Sequence, residues 1–198
     1  FLASRTARAI RRLKPDPVPI ELIRKVCEAG TFAPSGGNRQ PWQFIAVTAP
    51  ERRAYIASLY RARFREYIRP AVEAALDPAY PDAKRRNMKA AIYLAEHLHE
   101  APVHLFVAGW TRRGAPQSQA LFPAIQNVLL ACRAVGLGAS LTTAHRADGE
   151  EIDRYLGLDP VKTPSIALIP IGWPKGNFGR PTRRSIDTCF FVDGVPEP

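Results

Sequence analysis

Residues 117–143, QSQALFPAIQNVLLACRAVGLGASLTT, decide the fold. Leu121, Ala124, Ile125, Val128, Leu129, Ala131, Cys132 and Val135 recur at helical spacing and cover most of a helix circumference. A helix over 117–135 that is apolar nearly all round needs cover on every side. Gly136 and Gly138 end it. Such a helix belongs inside a layered domain, so the sequence on either side is expected to provide the layers.

On the N-terminal side, residues 4–12 start a short helix with Ser4 as N-cap, stopped by Pro15 and Pro17. Pro19 opens a second helix, in which Ile20, Ile23, Val26 and Cys27 share a face and which Gly30 closes. Residues 43–48 (QFIAVT) are a short strand. Residues 50–100 read as two or three arginine-rich helices, broken at Pro70 and again near residues 77–82. Residues 101–109 (APVHLFVAG) are a strongly apolar strand. On the C-terminal side, 148–156 is a short helix, and 164–173 (PSIALIPIGW) and 189–192 (CFFV) are strands. Short strands set far apart among helices indicate an α+β or α/β fold, in one domain given the length.

With 46% hydrophobic and 23% charged residues the chain is neither disordered nor low in complexity. No apolar run is long enough to span a bilayer. Cys27, Cys132 and Cys189 are widely spaced and form no CxxC pair, which suits a reducing cytoplasm. Lys+Arg exceeds Asp+Glu by 28 to 18, for a net charge of +10. The excess is concentrated: residues 1–28 hold seven basic and three acidic side chains, and 51–89 hold ten and five. Such a field attracts nucleic acid, an anionic membrane or a phosphorylated small ligand.

The usual catalytic signatures are missing. His97, His99, His104 and His145 do not fall at metal-ligand spacing, so no metal site is expected. There is no GxSxG, no P-loop and no GxGxxG. Four segments remain. Arg8 and Arg11 would share one helix face, and paired guanidinium groups suit a phosphate. Residues 33–42, APSGGNRQPW, are small enough for close backbone approach to a flat ligand, with Ser35, Asn38 and Gln40 adding polar contacts and Trp42 a packing anchor. The turn over 136–143 offers its backbone to a ligand edge. Arg180, Arg183 and Arg184 form a last basic cluster. Taken singly, each has a plainer explanation in a solvated face, a loop, a helix cap or a basic tail.

Taken in order, the four segments resemble the FMN-dependent nitroreductase family. The resemblance rests on Arg8-x-x-Arg11 followed by Lys14-Pro-Asp-Pro-Val18, on Ala33-Pro-Ser-x-x-Asn-x-Gln-Pro-Trp42, on Gln126-Asn127 with Gly136-Leu-Gly138, and on Ile171-Gly-Trp-Pro174 with Arg183-Arg184. It spans the chain except for residues 50–100, which are read as a variable helical lid. It implies an α+β homodimer, its central mixed sheet flanked by helices, with FMN in two clefts at the interface of intertwined subunits. Arg8 and Arg183 would grip the FMN phosphate. Ala9 would face the ribityl chain through its backbone, and Arg11 would sit by the pyrimidine. Pro34, Ser35, Gly36 and Asn38 would line the cofactor, Asn38 from across the interface. Leu141, Thr142 and Thr143 would face the flavin edge near N5. The family's first motif carries an arginine and a serine where this chain has Ala7 and Ala9, and Arg5 or Arg180 is the expected substitute.

The implied activity is a ping-pong oxidoreduction in which NAD(P)H and a nitroaromatic, quinone or similar flat acceptor take turns at one site. No catalytic residue is expected from the chain, because the cofactor carries the chemistry. A specialised flavoenzyme on the same fold is the alternative: a reductive dehalogenase, a flavin-cleaving enzyme or a biosynthetic dehydrogenase. A basic nucleic-acid-binding protein is the third reading, with Tyr60, Phe64 and Tyr67 interleaved among Arg61, Arg63, Arg65 and Arg69. Neither nucleic acid nor a membrane is the expected partner.

Overall fold

A computed structural model describes residues 1–112, 115–116 and 118–195. In chain order its elements are α1 (Leu2–Thr6), α2 (Ile20–Thr31), β1 (Trp42–Val47), α3 (Pro50–Ala74), α4 (Asp82–His97), β2 (Val103–Gly109), β3 (Thr111–Arg112), β4 (Ala115–Pro116), α5 (Ser118–Ala134), β5 (Gly138–Ala139), α6 (Gly149–Tyr155) and β6 (Ser165–Gly172). Single 3-10 turns lie at Gly36–Asn38, Leu98–Glu100, Ala144–Asp148 and Ile186–Thr188. Gln117, where the sequence starts the long helix, lies outside the described residues. No helix among the described residues is long and apolar enough to cross a membrane.

The main sheet runs β1-β2-β6-β5. Its two middle strands, β2 and β6, are buried along their whole length. Successive side chains of a strand point to opposite faces, and here both faces are covered. Val103, Leu105 and Val107 of β2, with Ala167, Ile169 and Ile171 of β6, pack on one side against Ile23 and Val26 of α2 and Leu121, Ile125 and Val128 of α5. Phe106 and Leu168 point the other way, into a cluster with Ile56, Tyr60 and Phe64 of α3 and Leu94 of α4. The sheet is thus the centre of three layers, and the continuous apolar runs of its middle strands are the trace of burial on both sides.

The α+β class and the flanking helices are as the sequence implies. The sheet is not mixed: every pairing among the described residues is antiparallel. The strand expected at 189–192 is absent. Phe190, Phe191 and Val192 are exposed, and a β-prone run with no sheet edge beside it has nothing to pair with. Two further expectations change. α3 runs through Pro70, and the carbonyl that loses its partner, that of Glu66, lies on an exposed stretch open to solvent. The helix expected over 4–12 ends at Thr6, and an extended arm follows.

α5 is buried through Leu121, Ala124, Ile125, Val128 and Cys132. Its opposite stripe is open, with Phe122 exposed and Leu129 only half-buried. Its end is a Schellman turn: Leu137 N–H donates to Cys132 O at 2.8 Å, Gly136 N–H donates to Arg133 O at 3.3 Å, and Gly136 has φ +82°.

Candidate functional site

The arm after α1 is the first builder of the site. Ile10 N–H donates to Ala139 O of β5 at 2.9 Å, Lys14 N–H to Trp173 O at 2.7 Å, and Lys175 N–H to Arg12 O at 2.9 Å. Ile10 and Leu13 are buried beneath it. Gly138 lets the arm approach, since a Cβ there would lie 2.8 Å from Ile10 Cγ2 and 2.9 Å from Leu13 Cδ2. Pinned this way, the arm sends Arg8 and Arg11 to different places, not to one helix face.

Arg8 enters a cavity of about 280 Å³ together with Ala9, Leu141 and Arg183, four of the residues expected at a cofactor. Arg133 of α5 lines it as well, so three arginines line the cavity, and no lining residue is acidic. Cations gathered around one cavity with no carboxylate in its wall favour an anion there. Arg11 lines a second cavity of about 440 Å³, with Leu141, Thr142 and Thr143. Burial lowers the Arg11 pKa, partly offset by nearby Tyr60. Ser140 and Leu141 line both cavities, which join them along one wall. Ser140 Oγ is buried and has no hydrogen-bond partner.

Most of the rest of the second cavity comes from α3 and α4. Tyr60, Arg63, Phe64 and Tyr67 of α3 fall at i, i+3, i+4 and i+7 and so share one face, opposite Ala91 and Leu94 of α4. Tyr60 and Phe64 stack nearly parallel with centroids 5.7 Å apart, and Tyr67 stands exposed at the mouth. The Tyr60 hydroxyl lies 2.9 Å from Thr142 Oγ1. Burial raises the Tyr60 pKa, against the opposing pull of that hydrogen bond and of Arg11. Tyr60 is 2% exposed and Phe64 6%, so neither is a platform for stacking bases. The arginines between them point elsewhere. Arg61 and Arg65 pair with Glu96 of α4 at 3.5 and 3.0 Å. Only Arg63 reaches the cavity wall, and it is held by Asp148 at 2.8 Å and Glu66 at 3.3 Å.

Residues 33–42 behave differently. Gln40 N–H donates to Ser35 Oγ at 3.0 Å, and the Gln40 side-chain amide donates to Asn38 Oδ1 at 3.2 Å. These bonds hold a backbone with positive φ at Gly37, Asn38 and Gln40. Part of the polar cluster therefore serves the loop itself. Pro34, Ser35 and Gly36 line a third, open cavity with Gln119 and Ala120 of α5, which shares no residue with the other two. Asn38 and Arg180 are exposed and line none of the three. A single chain therefore assembles Arg8, Ala9, Arg11, Leu141, Thr142, Thr143 and Arg183, and leaves Pro34, Ser35, Gly36, Asn38 and Arg180 outside. The sequence reading missed Arg133, and it took Ser140 only as part of the 136–143 turn and Tyr60 only as one aromatic of the helical segment. Arg133 had a signal: Gln126, Leu129 and Arg133 recur on one stripe of an otherwise apolar helix, and all three line the first cavity. Among the described residues, no group of His, Cys, Asp and Glu gathers as a metal site would.

An acid-free pocket lined by three arginines thus adjoins an aromatic slot at Ser140 and Leu141. The comparisons place the chain. The Nitroreductase family model matches residues 5–173, and the chain belongs to that family. It is an oxidoreductase of that class. A 5,6-dimethylbenzimidazole synthase of Rhodospirillum rubrum is 31% identical over 180 residues, 85% of this chain and 78% of its own. A protein of Desulfovibrio desulfuricans solved in complex with FMN has a TM-score of 0.68 at 26% identity, over 98% of this chain and 96% of its own. An iodotyrosine deiodinase solved with FMN and 3-iodo-L-tyrosine has a TM-score of 0.77, over 98% and 97%. At 20% identity that likeness is one of fold.

Proposed function

We propose that this chain is an FMN-dependent oxidoreductase, working as a homodimer, that passes reducing equivalents from NAD(P)H to a small flat aromatic acceptor such as a nitroaromatic or a quinone. The observation that carries the reading is the meeting of the arginine cavity and the aromatic slot at Ser140 and Leu141. A phosphorylated flavin has the same two parts in the same order, an anionic end and a planar ring. The unpartnered buried hydroxyl of Ser140, at the junction, fits a polar ligand running past it. FMN, when bound, supplies the hydride and electron transfer.

The chain's own residues bind and position. Arg8 and Arg183 hold the phosphate by charge-assisted hydrogen bonds. Ala9 leaves room for close approach of the backbone. Arg11 stands by the pyrimidine and favours the state in which negative charge gathers there. Leu141, Thr142 and Thr143 face the ring edge, with the Thr142 hydroxyl oriented by Tyr60. Pro34, Ser35, Gly36 and Asn38 complete the site from a second copy of the chain. Tyr60, Phe64 and Tyr67 cover the slot in which reductant and acceptor alternate. The second reading, a more specialised flavoenzyme, is favoured by the relative at 31% identity that bears a biosynthetic name.

The test is the visible spectrum of the purified protein, followed by anaerobic addition of NADH or NADPH and then of acceptors. Flavin bands that bleach with NAD(P)H and return with a nitroaromatic or quinone are expected. Bleaching only by a chemical reductant, or return only with one narrow acceptor class such as halogenated phenols, favours the second reading. A colourless protein that binds no added FMN overturns both.

A further inference from the structure

The first cavity holds one cation more than its sequence motifs account for. Positions 7 and 9 are alanines, and both line this cavity. The candidate substitutes fall outside it: neither Arg5 nor Arg180 is among its lining residues. Arg133 is, and its setting is unusual for a helix-end arginine. A cation in the last turn of α5 has a plain explanation in the helix dipole and the free carbonyls there. Arg133 does not bond those carbonyls. Its Nε–H donates to Thr6 Oγ1 at 2.8 Å, and Thr6 in turn donates to Leu2 O at 2.7 Å, which fixes the lone pair that Arg133 uses. Its guanidinium carbon lies 4.1 Å from the centroid of the Phe178 ring. Both terminal nitrogens are without a hydrogen bond or ion pair among the described residues. A guanidinium oriented by a hydroxyl and an aromatic ring, its fork free, on the wall of a cavity without a carboxylate, is arranged for an oxyanion.

Resting on the flavin reading above, we infer that Arg133 is the third phosphate-binding cation, replacing from α5 the arginine that the first motif lacks. Thr6 and Phe178 are its positioning residues. The phosphate is then gripped from three separate parts of the chain: the arm, the long helix and the C-terminal segment.

The test compares FMN with riboflavin, which lacks only the phosphate, by fluorescence titration of the apo-protein. Arg133→Gln is expected to raise the Kd for FMN about 10- to 100-fold, the effect of one lost charge-assisted contact, and to leave riboflavin unchanged. Arg133→Lys should fall between, keeping the charge and losing the fork. Thr6→Val should raise the FMN Kd by a smaller factor, again without touching riboflavin. A parent-like FMN Kd in Arg133→Gln overturns the assignment. So does an equal loss of both ligands, which would mark Arg133 as structural. If Arg133→Gln fails to fold, Thr6→Val decides: an unchanged ratio of FMN to riboflavin affinity overturns it. A parent protein that binds neither ligand overturns the flavin reading itself, an outcome distinct from all of these.

Discussion

His104 of β2 and His145 of the turn before α6 are buried, and neither pairs directly with a carboxylate among the described residues. His104 Nε2–H donates to Leu98 O at 2.8 Å, and its Nδ1 has no partner. Burial pushes its pKa down to about 4, with Arg53 and His99 adding to the fall and the Leu98 bond resisting it. His145 lies 3.2 Å from Ser165 Oγ, and burial, helped by Arg146, takes its pKa to about 3. Both are neutral at pH 7 in the folded chain. In the unfolded chain each takes up a proton near its ordinary pKa of about 6.5. Between that value and about 4 the unfolded state therefore binds more protons, and stability falls as pH falls. The limiting slope is roughly 1 kcal/mol per pH unit for each histidine. Urea midpoints taken from about pH 7 down to about pH 5 should drop steadily for the parent. His104→Gln keeps a donor for Leu98 and cannot be charged, so its midpoint should drop less. Parallel curves for the two proteins would show that His104 does not carry this dependence. The sequence weighed these histidines only as metal ligands, because burial is not visible in a single residue's identity.

At the scale of elements, legibility followed periodicity. The strands read at 43–48, 101–109 and 164–173 appear at Trp42–Val47, Val103–Gly109 and Ser165–Gly172, because apolar runs that fill two faces leave a strong pattern. α5 appears at Ser118–Ala134, with its glycine turn as read. What failed was decided by partners outside the local window. The arm over 7–13 has helix-forming residues, and tertiary hydrogen bonds to β5 and to Trp173 override them. The 50–100 segment was read correctly as helical, but not for which arginines face the slot: a helix places 60, 63, 64 and 67 together and turns 61 and 65 toward Glu96. Arg61 and Arg65 instead serve the contact between α3 and α4. The arm is also where the site is most easily broken. Gly138→Ala places a methyl 2.8 Å from Ile10 Cγ2 and 3.1 Å from its Cβ, too close for the arm to stay docked. A loss of about 1–3 kcal/mol in denaturant unfolding is expected, as for an overpacked core. Because the arm carries Arg8, FMN affinity should fall with it. A variant with parental stability and affinity would mean that the arm is not held through Gly138.

For the whole molecule, the open stripe of α5 is the feature one chain leaves unanswered. Phe122, Gln126, Leu129 and Arg133 follow one another along it. Its C-terminal end forms the wall of the arginine cavity, and Gln119 and Ala120 at its start form the wall of the cavity beside Pro34, Ser35 and Gly36. About 20 Å of helix separates these ends at 1.5 Å per residue. A twofold axis across the stripe would set two copies of α5 antiparallel, and each start would then meet the other's end. That one operation would cover Phe122, which is 45% exposed, and would bring the 34–36 loop toward the arginine cavity of a second chain. The resemblance implied a shared site, and the separation of the cavities is what such sharing would require. Phe122→Asp is the corresponding test, since a charge at the centre of a self-complementary patch is placed against its own copy twice. Sedimentation should show a dimer for the parent and a shift toward monomer for Phe122→Asp. FMN affinity should fall in the same variant, although residue 122 lines none of the three cavities. A parent chain that sediments as a stable, FMN-loaded monomer at about micromolar concentration would refute the shared site, because the 34–36 loop would then have no route to the cofactor.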